Sequence, residues 1–213
     1  MKAIILAAGV GNRLGEMGKV VPKCLINIGG KSILERNINI LVNCGIKRED
    51  IVVIIGKEGE TWSEENQNKI KAIHYNVIIN PENVAKNQAY SFWLGAKEID
   101  DSIVCIDGDS VFHECVLKRL VDNSYDSCFL TRVVPNERRT RVLVKEGRVL
   151  DFGKEALSDR VYTPLLKFSA KFLDALKKEI LSNSDKYFAT SIDVAIKSIC
   201  KEHEIFNVNL EDS

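Results

Sequence analysis

The sequence predicts an α/β fold in which a mainly parallel sheet carries flanking helices and a small β-rich elaboration in the C-terminal half. Short apolar runs alternate with segments of helical period, as in βαβ units around a parallel sheet. The first apolar run leads directly into a glycine-rich segment, and a later run ends in Asp107-Gly108-Asp109. Carboxylates at the end of a buried parallel strand lie where open α/β sheets place their ligands. Together these features predict a Rossmann-like arrangement.

The elements of the first half are predicted from hydrophobic periodicity and from the residues that start or end helices. Ser32 is suited to cap a helix that ends near Asn43, and Gly45 is suited to terminate it. The predicted strands cover residues 3–8, 51–55, 77–79 and 102–106, and the predicted helices cover 32–43, 62–73 and 87–97.

The second half is predicted to contain more strands. They cover residues 125–134, 141–145, 148–152, 161–168 and 204–210, with Glu146-Gly147 as a tight turn between the second and third. Amphipathic patterns predict helices over 171–181 and 190–200. Because no repeat, linker or low-complexity stretch interrupts the chain, residues 1–213 are expected to form a single domain with two halves, 1–112 and 113–213.

Composition excludes several classes of protein. The 213 residues are 45% apolar and carry 30 Lys and Arg against 30 Asp and Glu, so the overall basic charge expected of a nucleic-acid binder is absent. No apolar stretch approaches the ~20 residues needed to insert across a membrane. The start of the chain lacks a signal-peptide pattern, and a cytoplasmic location is expected. The six cysteines form no C-x-x-C pair and are expected to be reduced, mostly buried thiols rather than a zinc site.

The glycine-rich segment that follows the first strand predicts phosphate binding. Gly9 and Gly11 would expose backbone N–H groups to an anion, and Arg13 offers a bidentate guanidinium. Leu14 stands where the dinucleotide-binding pattern G-x-G-x-x-G requires glycine, which argues against a nicotinamide enzyme. Lys23, beside a proline in the same region, is well placed to meet a phosphate. The alternative interpretation is a structural turn without ligand.

Several motifs resemble one enzyme family. Residues 2–13 (KAIILAAGVGNR), 22–25 (PKCL) and 30–35 (GKSILE) look like the start of the nucleotidyltransferases that join a nucleoside triphosphate to a sugar phosphate or a similar acceptor. Residues 107–112 (DGDSVF) are similar to the metal-binding strand end of that family. Residues 80–83 (NPEN) and 87–94 (NQAYSFWL) most resemble its branch that uses CTP with phosphocholine, inositol phosphate or phosphonate acceptors.

The resemblance implies roles for individual residues. It assigns Arg13 and Lys23 to catalysis by holding phosphates, and Asp109 to binding the Mg²⁺ cofactor. The residues implied to bind the nucleotide are Leu6, Ala7, Ala8, Gly9, Gly11, Asn12, Arg13, Asn87, Ser91 and Asp107. In relatives a segment beyond the last strand supplies a second metal ligand. This sequence ends at 211–213, which leaves three alternatives: the sequence is shortened, or Asp193, Glu211 or Asp212 substitutes in that role, or activity is impaired.

The far end of the acceptor is expected to be held by an aromatic ring or a carboxylate. Trp93, Tyr187 and Asp193 are the candidates, with Tyr162 also available, and core packing is the alternative for the aromatic rings. The predicted reaction transfers a cytidylyl group from CTP to a small phosphorylated or phosphonate acceptor, with residues 1–112 binding the nucleotide and 113–213 the acceptor. Two alternatives stay open: a sugar-1-phosphate nucleotidyltransferase that uses UTP, dTTP or GTP, and a non-catalytic nucleotide sensor.

Overall fold

The computed structural model describes residues 1–59, 61–134, 140–153 and 155–210. Its strands are β1 (Lys2–Leu6), β2 (Asn27–Ile28), β3 (Lys31–Ser32), β4 (Ile51–Gly56), β5 (Val77–Asn80), β6 (Ile103–Asp107), β7 (Cys128–Val133), β8 (Arg141–Lys145), β9 (Arg148–Gly153), β10 (Arg160–Phe168) and β11 (Phe206–Asn209). Its helices are α1 (Glu16–Val20), α2 (Ile33–Asn43), α3 (Glu64–Ile73), α4 (Gln88–Ala96), α5 (Glu114–Val121), α6 (Ala170–Ser182), α7 (Ser184–Tyr187) and α8 (Ile192–Ile199).

One sheet carries most of these strands, in the order β5-β4-β1-β6-β10-β7-β11-β9-β8, and β2 pairs separately with β3. The first four strands in this spatial order, β5, β4, β1 and β6, are mutually parallel, as predicted. Leu6 of β1 lies opposite Asp107 of β6. From β10 onward the pairings are antiparallel except that of β7 with β11. The α/β class is therefore confirmed, but the sheet is mixed. The β-rich part extends this same sheet.

Side-chain alternation along the strands builds a core on each face. In β1, Ile4 and Leu6 pack with α4, α6 and α8, whereas Ala3 and Ile5 pack with α2, α3 and α5. Since both faces are covered, the parallel strands are continuous apolar runs rather than alternating ones. The strand ends are then the part of the central sheet where polar side chains lie without disrupting the core.

Local signals confirm several predicted boundaries. Ser32 and Glu35 form a reciprocal capping box at the start of α2, where the Ser32 N–H donates to Glu35 Oε2 at 2.8 Å and the Glu35 N–H to Ser32 Oγ at 3.2 Å. Gly45, at φ +88°, follows the end of α2 as predicted. The helix predicted from residue 62 begins two residues later, because the Ser63 hydroxyl accepts the N–H of Asn66.

Other features differ from or extend the predictions. Three helices (α1, α5 and α7) and the β2–β3 pair were not predicted. The helices α1 and α7 and the β2–β3 pair are too short to show a clear period, whereas α5 is as long as the predicted α8 and its amphipathic pattern was missed. The six cysteines are free thiols, four of them buried. Among the helices that the structure describes, none is long and apolar enough to span a bilayer.

Candidate active site

The candidate site lies at the carboxyl ends of β1 and β6. In the sheet, β4 lies on one side of β1 and β6 lies on the other. The connections that follow β1 and β6 therefore run in different directions and leave a crevice between the ends of these two strands. Ligands of open α/β sheets bind at such switch points. The segments that follow β1 and β6 line a pocket of about 200 Å³, here called the first pocket.

The glycine loop after β1 is a fixed structure. Gly11 has φ +69°, and a Cβ on Gly18 would lie 2.3 Å from the Gly11 carbonyl oxygen, so α1 crosses the loop in direct backbone contact. The Thr61 hydroxyl lies within hydrogen-bond distance of the carbonyl oxygens of Val10 (3.1 Å) and Gly18 (2.9 Å). With these carbonyl groups turned inward, no described residue accepts the N–H groups of residues 9–12. Anion binding by these N–H groups stays a prediction, which their lack of described partners supports.

Two cations flank this loop on different sides. The Lys23 ammonium lines the first pocket and donates to Asp109 Oδ2 at 2.8 Å, linking the segment after α1 to the end of β6. The Arg13 side chain is exposed and has no hydrogen bond or ion pair with any described residue. It lines a larger cleft of about 900 Å³, the second cleft, which shares Asp107 and Asp109 with the first pocket. The two carboxylates thus lie at the junction of both cavities.

The position of these carboxylates depends on Gly108. A Cβ at Gly108 would lie 2.7 Å from the Ala7 Cβ, and the Gly108 N–H donates to the Leu6 carbonyl oxygen at 2.8 Å. Only glycine permits this approach of the two strand ends. Burial raises the pKa of the Asp107 carboxyl to about 7, and the negative charge of Asp109 acts in the same direction. The hydrogen bond from Gln88 and the charge of Lys23 oppose that rise.

The donor set at this junction is compatible with Mg²⁺. Mg²⁺ is commonly held by one or two carboxylates, with substrate phosphates and water completing its octahedron, and Asp109 with Asp107 offers two. Within the described residues, no cluster of three or more His, Cys, Asp or Glu side chains could hold a metal ion. Asp193, a candidate second ligand, accepts hydrogen bonds from Thr140 and Ser191. Glu211 and Asp212 lie outside the described residues.

Most of the predicted nucleotide-binding residues meet in the first pocket. Those lining it are Leu6, Ala7, Ala8, Gly9, Asn87, Ser91 and Asp107, together with Lys23 and Asp109. Gly11 is buried under α1, and Asn12 lines a separate groove beneath the loop. Asn87 Oδ1 caps α4 by accepting the Gln88 N–H at 2.7 Å.

The pocket also contains residues that sequence reasoning did not assign. Gln88 Nε2 donates to Asp107 Oδ1 at 2.6 Å, and Asn83 Nδ2 donates to the Ala8 carbonyl oxygen at 3.3 Å. Behind the pocket, the buried Asn80 donates to the Ser91 hydroxyl at 2.9 Å. The signal for the two asparagines was the motif over residues 80–83, but it carried no indication of their partners.

Both halves of the chain form the second cleft. Thr140 and residues 162–165 line it together with Arg13 and the aspartates. The Tyr162 hydroxyl is buried and has no hydrogen-bond partner among the described residues. Burial raises its pKa well above the usual value, and the negative charges of Asp107 and Asp193 contribute.

The three predicted acceptor-binding residues have different positions. Asp193 neighbours the second cleft, because its Oδ2 accepts the Thr140 hydroxyl at 3.0 Å. Tyr187 is fully buried and its hydroxyl donates to Glu179 at 2.6 Å. Trp93 packs in an aromatic cluster with Tyr90 and Phe188, at centroid distances of 6.2 and 5.7 Å. Neither Tyr187 nor Trp93 lines the first pocket or the second cleft, because the Tyr187 ring lies in the core and the half-buried Trp93 packs against it. Acceptor binding by these two residues stays a prediction that the two cavities do not support.

Comparisons with known proteins agree with this geometry. A family model described as the MobA-like NTP transferase domain matches residues 3–187. The chain is 33% identical to choline-phosphate cytidylyltransferase of Streptococcus pneumoniae, over 99% of this chain and 90% of that protein. It is 30% identical to CMP-5'-(3-aminopropyl)phosphonate synthase of Streptomyces rubellomurinus, over 56% of this chain and 19% of that protein.

Solved structures show the same fold. The CTP:phosphocholine cytidylyltransferase of Streptococcus pneumoniae superposes with a TM-score of 0.79 at 21% identity, covering 99% of this chain and 90% of that one. The chain nevertheless spans only 19% to 49% of the length of the first curated relatives that it matches.

Proposed function

The chain belongs to the MobA-like NTP transferase domain family, and from this premise we propose that it transfers a cytidylyl group from CTP to a small phosphorylated or phosphonate acceptor. The observation that carries the proposal is the shared boundary of the two cavities. Lys23 and Asp109 form an ion pair between the segment after α1 and the end of β6, and Asp109 borders both the first pocket and the second cleft. A nucleotide in the pocket and an acceptor in the cleft would meet at this pair.

In the proposed reaction an acceptor oxygen attacks the α-phosphorus of CTP. The new P–O bond forms as the bond to the β-phosphate oxygen breaks, and pyrophosphate leaves with its electron pair. Such a step needs positioning and charge neutralisation more than a covalent intermediate. No serine or cysteine nucleophile is required, and the buried Cys24, whose pKa burial raises to about 12, supplies none.

Each cation has a separate task in this scheme. The N–H groups of residues 9–12 and the Arg13 guanidinium, which have no partner among the described residues, bind the β- and γ-phosphates. Because Arg13 lines the second cleft, the triphosphate extends from the first pocket toward that cleft. Lys23 binds the α-phosphate and the acceptor oxygen beside it. Asp109, with Asp107, would hold Mg²⁺, which when bound neutralises charge that grows toward pyrophosphate. Once a phosphate is present, the Lys23 ammonium has an anionic partner other than Asp109.

Cytosine preference is supported by the names of the relatives and by the amide groups around the pocket. The side chain of Asn87 keeps its Nδ2 donor free of described partners, and the neighbouring Ser91 hydroxyl is held by Asn80. Such a site leaves groups unpaired against the wrong base, which costs ~1–3 kcal/mol per buried group.

A panel of substrates tests the proposal. Pyrophosphate release is measured with CTP, UTP, dTTP, GTP and ATP, each against phosphocholine, inositol phosphate, an aminoalkyl phosphonate and glucose 1-phosphate. Turnover that requires CTP and one of the first three acceptors supports it. The match to UTP--glucose-1-phosphate uridylyltransferase AglF of Haloferax volcanii, 26% identical over 93% of this chain and 84% of that protein, favours a sugar-1-phosphate nucleotidyltransferase as the second candidate. Turnover with glucose 1-phosphate and UTP would select that function, and CTP binding without turnover would indicate a sensor.

A further inference from the structure

The side-chain amide of Gln88 is bonded at both ends. Its Nε2 donates to Asp107 Oδ1 at 2.6 Å, and its Oε1 accepts the backbone N–H of Ile192 at 3.2 Å. These partners belong to distant parts of the chain: Asp107 ends β6 in the first half, and Ile192 begins α8 near the C-terminus. Because the amide has one donor end and one acceptor end here, the two bonds allow a single orientation.

Helix formation does not require this arrangement. Asn87 already caps α4 through its own side chain, so the Gln88 amide is free to point away from the helix terminus. It instead orients the Asp107 carboxylate, with Oδ1 committed to Gln88. The bond is short, at 2.6 Å, and in the ionised form of Asp107 it is charge-assisted, which is the stronger type of hydrogen bond.

The contact also connects the two cavities. Gln88 and Asp107 line the first pocket. On the other side of Gln88, Asp193 follows Ile192 and accepts the hydroxyl of Thr140, which lines the second cleft. A path of hydrogen bonds, joined by the covalent link from Ile192 to Asp193, therefore runs from the first pocket through the start of α8 to the second cleft.

From this path we propose that Gln88 is a positioning residue, which holds Asp107 in the orientation the bound nucleotide requires and relates it to the position of α8. The proposal rests on the proposed function, because it assigns Gln88 to the same reaction. Gln88 acts through Asp107, so removing its amide lowers turnover more than substrate affinity. A misplacement of about 1 Å costs roughly 10²-fold in rate.

Exchanging the two side chains provides the sharpest test. Gln88→Glu places two carboxylates together, and Asp107→Asn places two amides together, whereas the double variant restores one N–H···O bond with its partners exchanged. Contacting residues couple by 0.5–3 kcal/mol, about two- to 150-fold. Multiplying the kcat losses of the two single variants gives the kcat expected without coupling. We expect the measured kcat of the double variant to be about tenfold higher than that value. If the measured kcat of the double variant lies within twofold of the value calculated from the two single variants, the proposal is overturned.

The bond to α8 is tested separately at Ile192. Ile192→Pro removes the N–H at the first position of a helix, where proline is tolerated, and Ser191 before it has the extended conformation that proline requires (φ −78°, ψ 159°). Ile192→Ala is the matched control, since it loses the buried side chain and keeps the N–H. We expect the proline variant to have the lower kcat at a similar melting temperature. Equal kcat values would exclude the α8 contact from the role.

Gln88→Leu and Gln67→Leu complete the comparison. Gln67 also donates one buried hydrogen bond, to the Gly56 carbonyl oxygen at 3.2 Å, but it does not line either cavity. We expect Gln88→Leu to reduce kcat about 10- to 100-fold with a smaller change in KM, and Gln67→Leu to keep the kcat of the unmodified chain. A Gln88→Leu enzyme with unchanged kcat would contradict the proposal.

Failure of the proposed function gives a different result from failure of the positioning role. A chain that turns over nucleotide but shows no Gln88–Asp107 coupling retains its function and loses the role of Gln88. If the unmodified chain has no turnover with any pair of substrates, the proposed function is wrong, and the role of Gln88 in that reaction is overturned with it.

Discussion

Replacing Lys23 with methionine separates the catalytic contribution of its ammonium from its contribution to stability. The Lys23–Asp109 pair is 2.8 Å long, but the two side chains are 31% and 44% exposed. Pairs this exposed stabilise a fold by about 1 kcal/mol or less. Loss of one preorganised charge at a reacting phosphate costs ~10²-fold in turnover, about 2.7 kcal/mol in the activation barrier. We therefore expect Lys23→Met to fold normally and to lose turnover by ~10²-fold or more.

The assay is pyrophosphate release at saturating CTP and acceptor, combined with thermal unfolding of the same preparation. Lys69→Met is the matched control, because Lys69 forms a 2.7 Å pair with Glu65 on α3, outside both cavities. Its turnover should stay within about twofold of the unmodified chain, as expected for a surface change. Full activity of Lys23→Met, or its failure to fold when Lys69→Met folds, would refute the assignment of Lys23.

Four further outcomes follow from the structure. Asp109→Asn should reduce turnover by ~10²-fold and flatten its dependence on Mg²⁺; near-normal release of pyrophosphate in excess chelator would contradict the metal role. CTP should bind roughly ten- to two-hundred-fold more tightly than UTP, and equal affinities by calorimetry would favour the sugar-nucleotide alternative. Gly108→Ala should lower the free energy of unfolding by ~1–3 kcal/mol through overpacking, whereas Gly59→Ala, with no atom closer than 4.0 Å to its added Cβ, should not. Burial lowers the pKa of His74, whose Nε2 contacts the Ile51 carbonyl oxygen at 2.7 Å and whose Nδ1 lacks a partner among the described residues. As pH falls, His74 of the unfolded chain is protonated at a higher pH than His74 of the folded chain, so the free energy of unfolding should decrease below pH about 6.5. Urea denaturation of His74→Gln at several pH values should show a smaller decrease.

The C-terminal half shows where local patterns are insufficient. Its strands were predicted with nearly correct bounds: residues 161–168 against the observed Arg160–Phe168, and 141–145 against Arg141–Lys145. The order of these strands was not predicted. Insertion of β10 antiparallel beside β6, and of β11 between β7 and β9, depends on contacts between residues far apart in the chain. Periodicity reports which side of an element is buried and carries no information about its neighbour.

The acceptor candidates had the same limitation. Trp93, Tyr187 and Asp193 were selected because their chemistry suits a cation, but only Asp193 neighbours the second cleft. Tyr187 is buried because its ring and hydroxyl are both satisfied inside the protein, the hydroxyl by Glu179. Side-chain type therefore identified what a residue could bind, and packing determined whether any ligand reaches it.

By itself the sequence determined the α/β class, the capped α2, the glycine-rich loop after β1 and the acidic end of β6. These depend on interactions among residues within a few positions of one another: glycine conformation, strand and helix periodicity, and the capping of a helix by Ser32. Only the tertiary structure placed Lys23 against Asp109, 86 residues away, and Gln88 between Asp107 and α8. The physical reason is that such contacts form when separate elements pack on the same sheet, and their partners are set by the whole core.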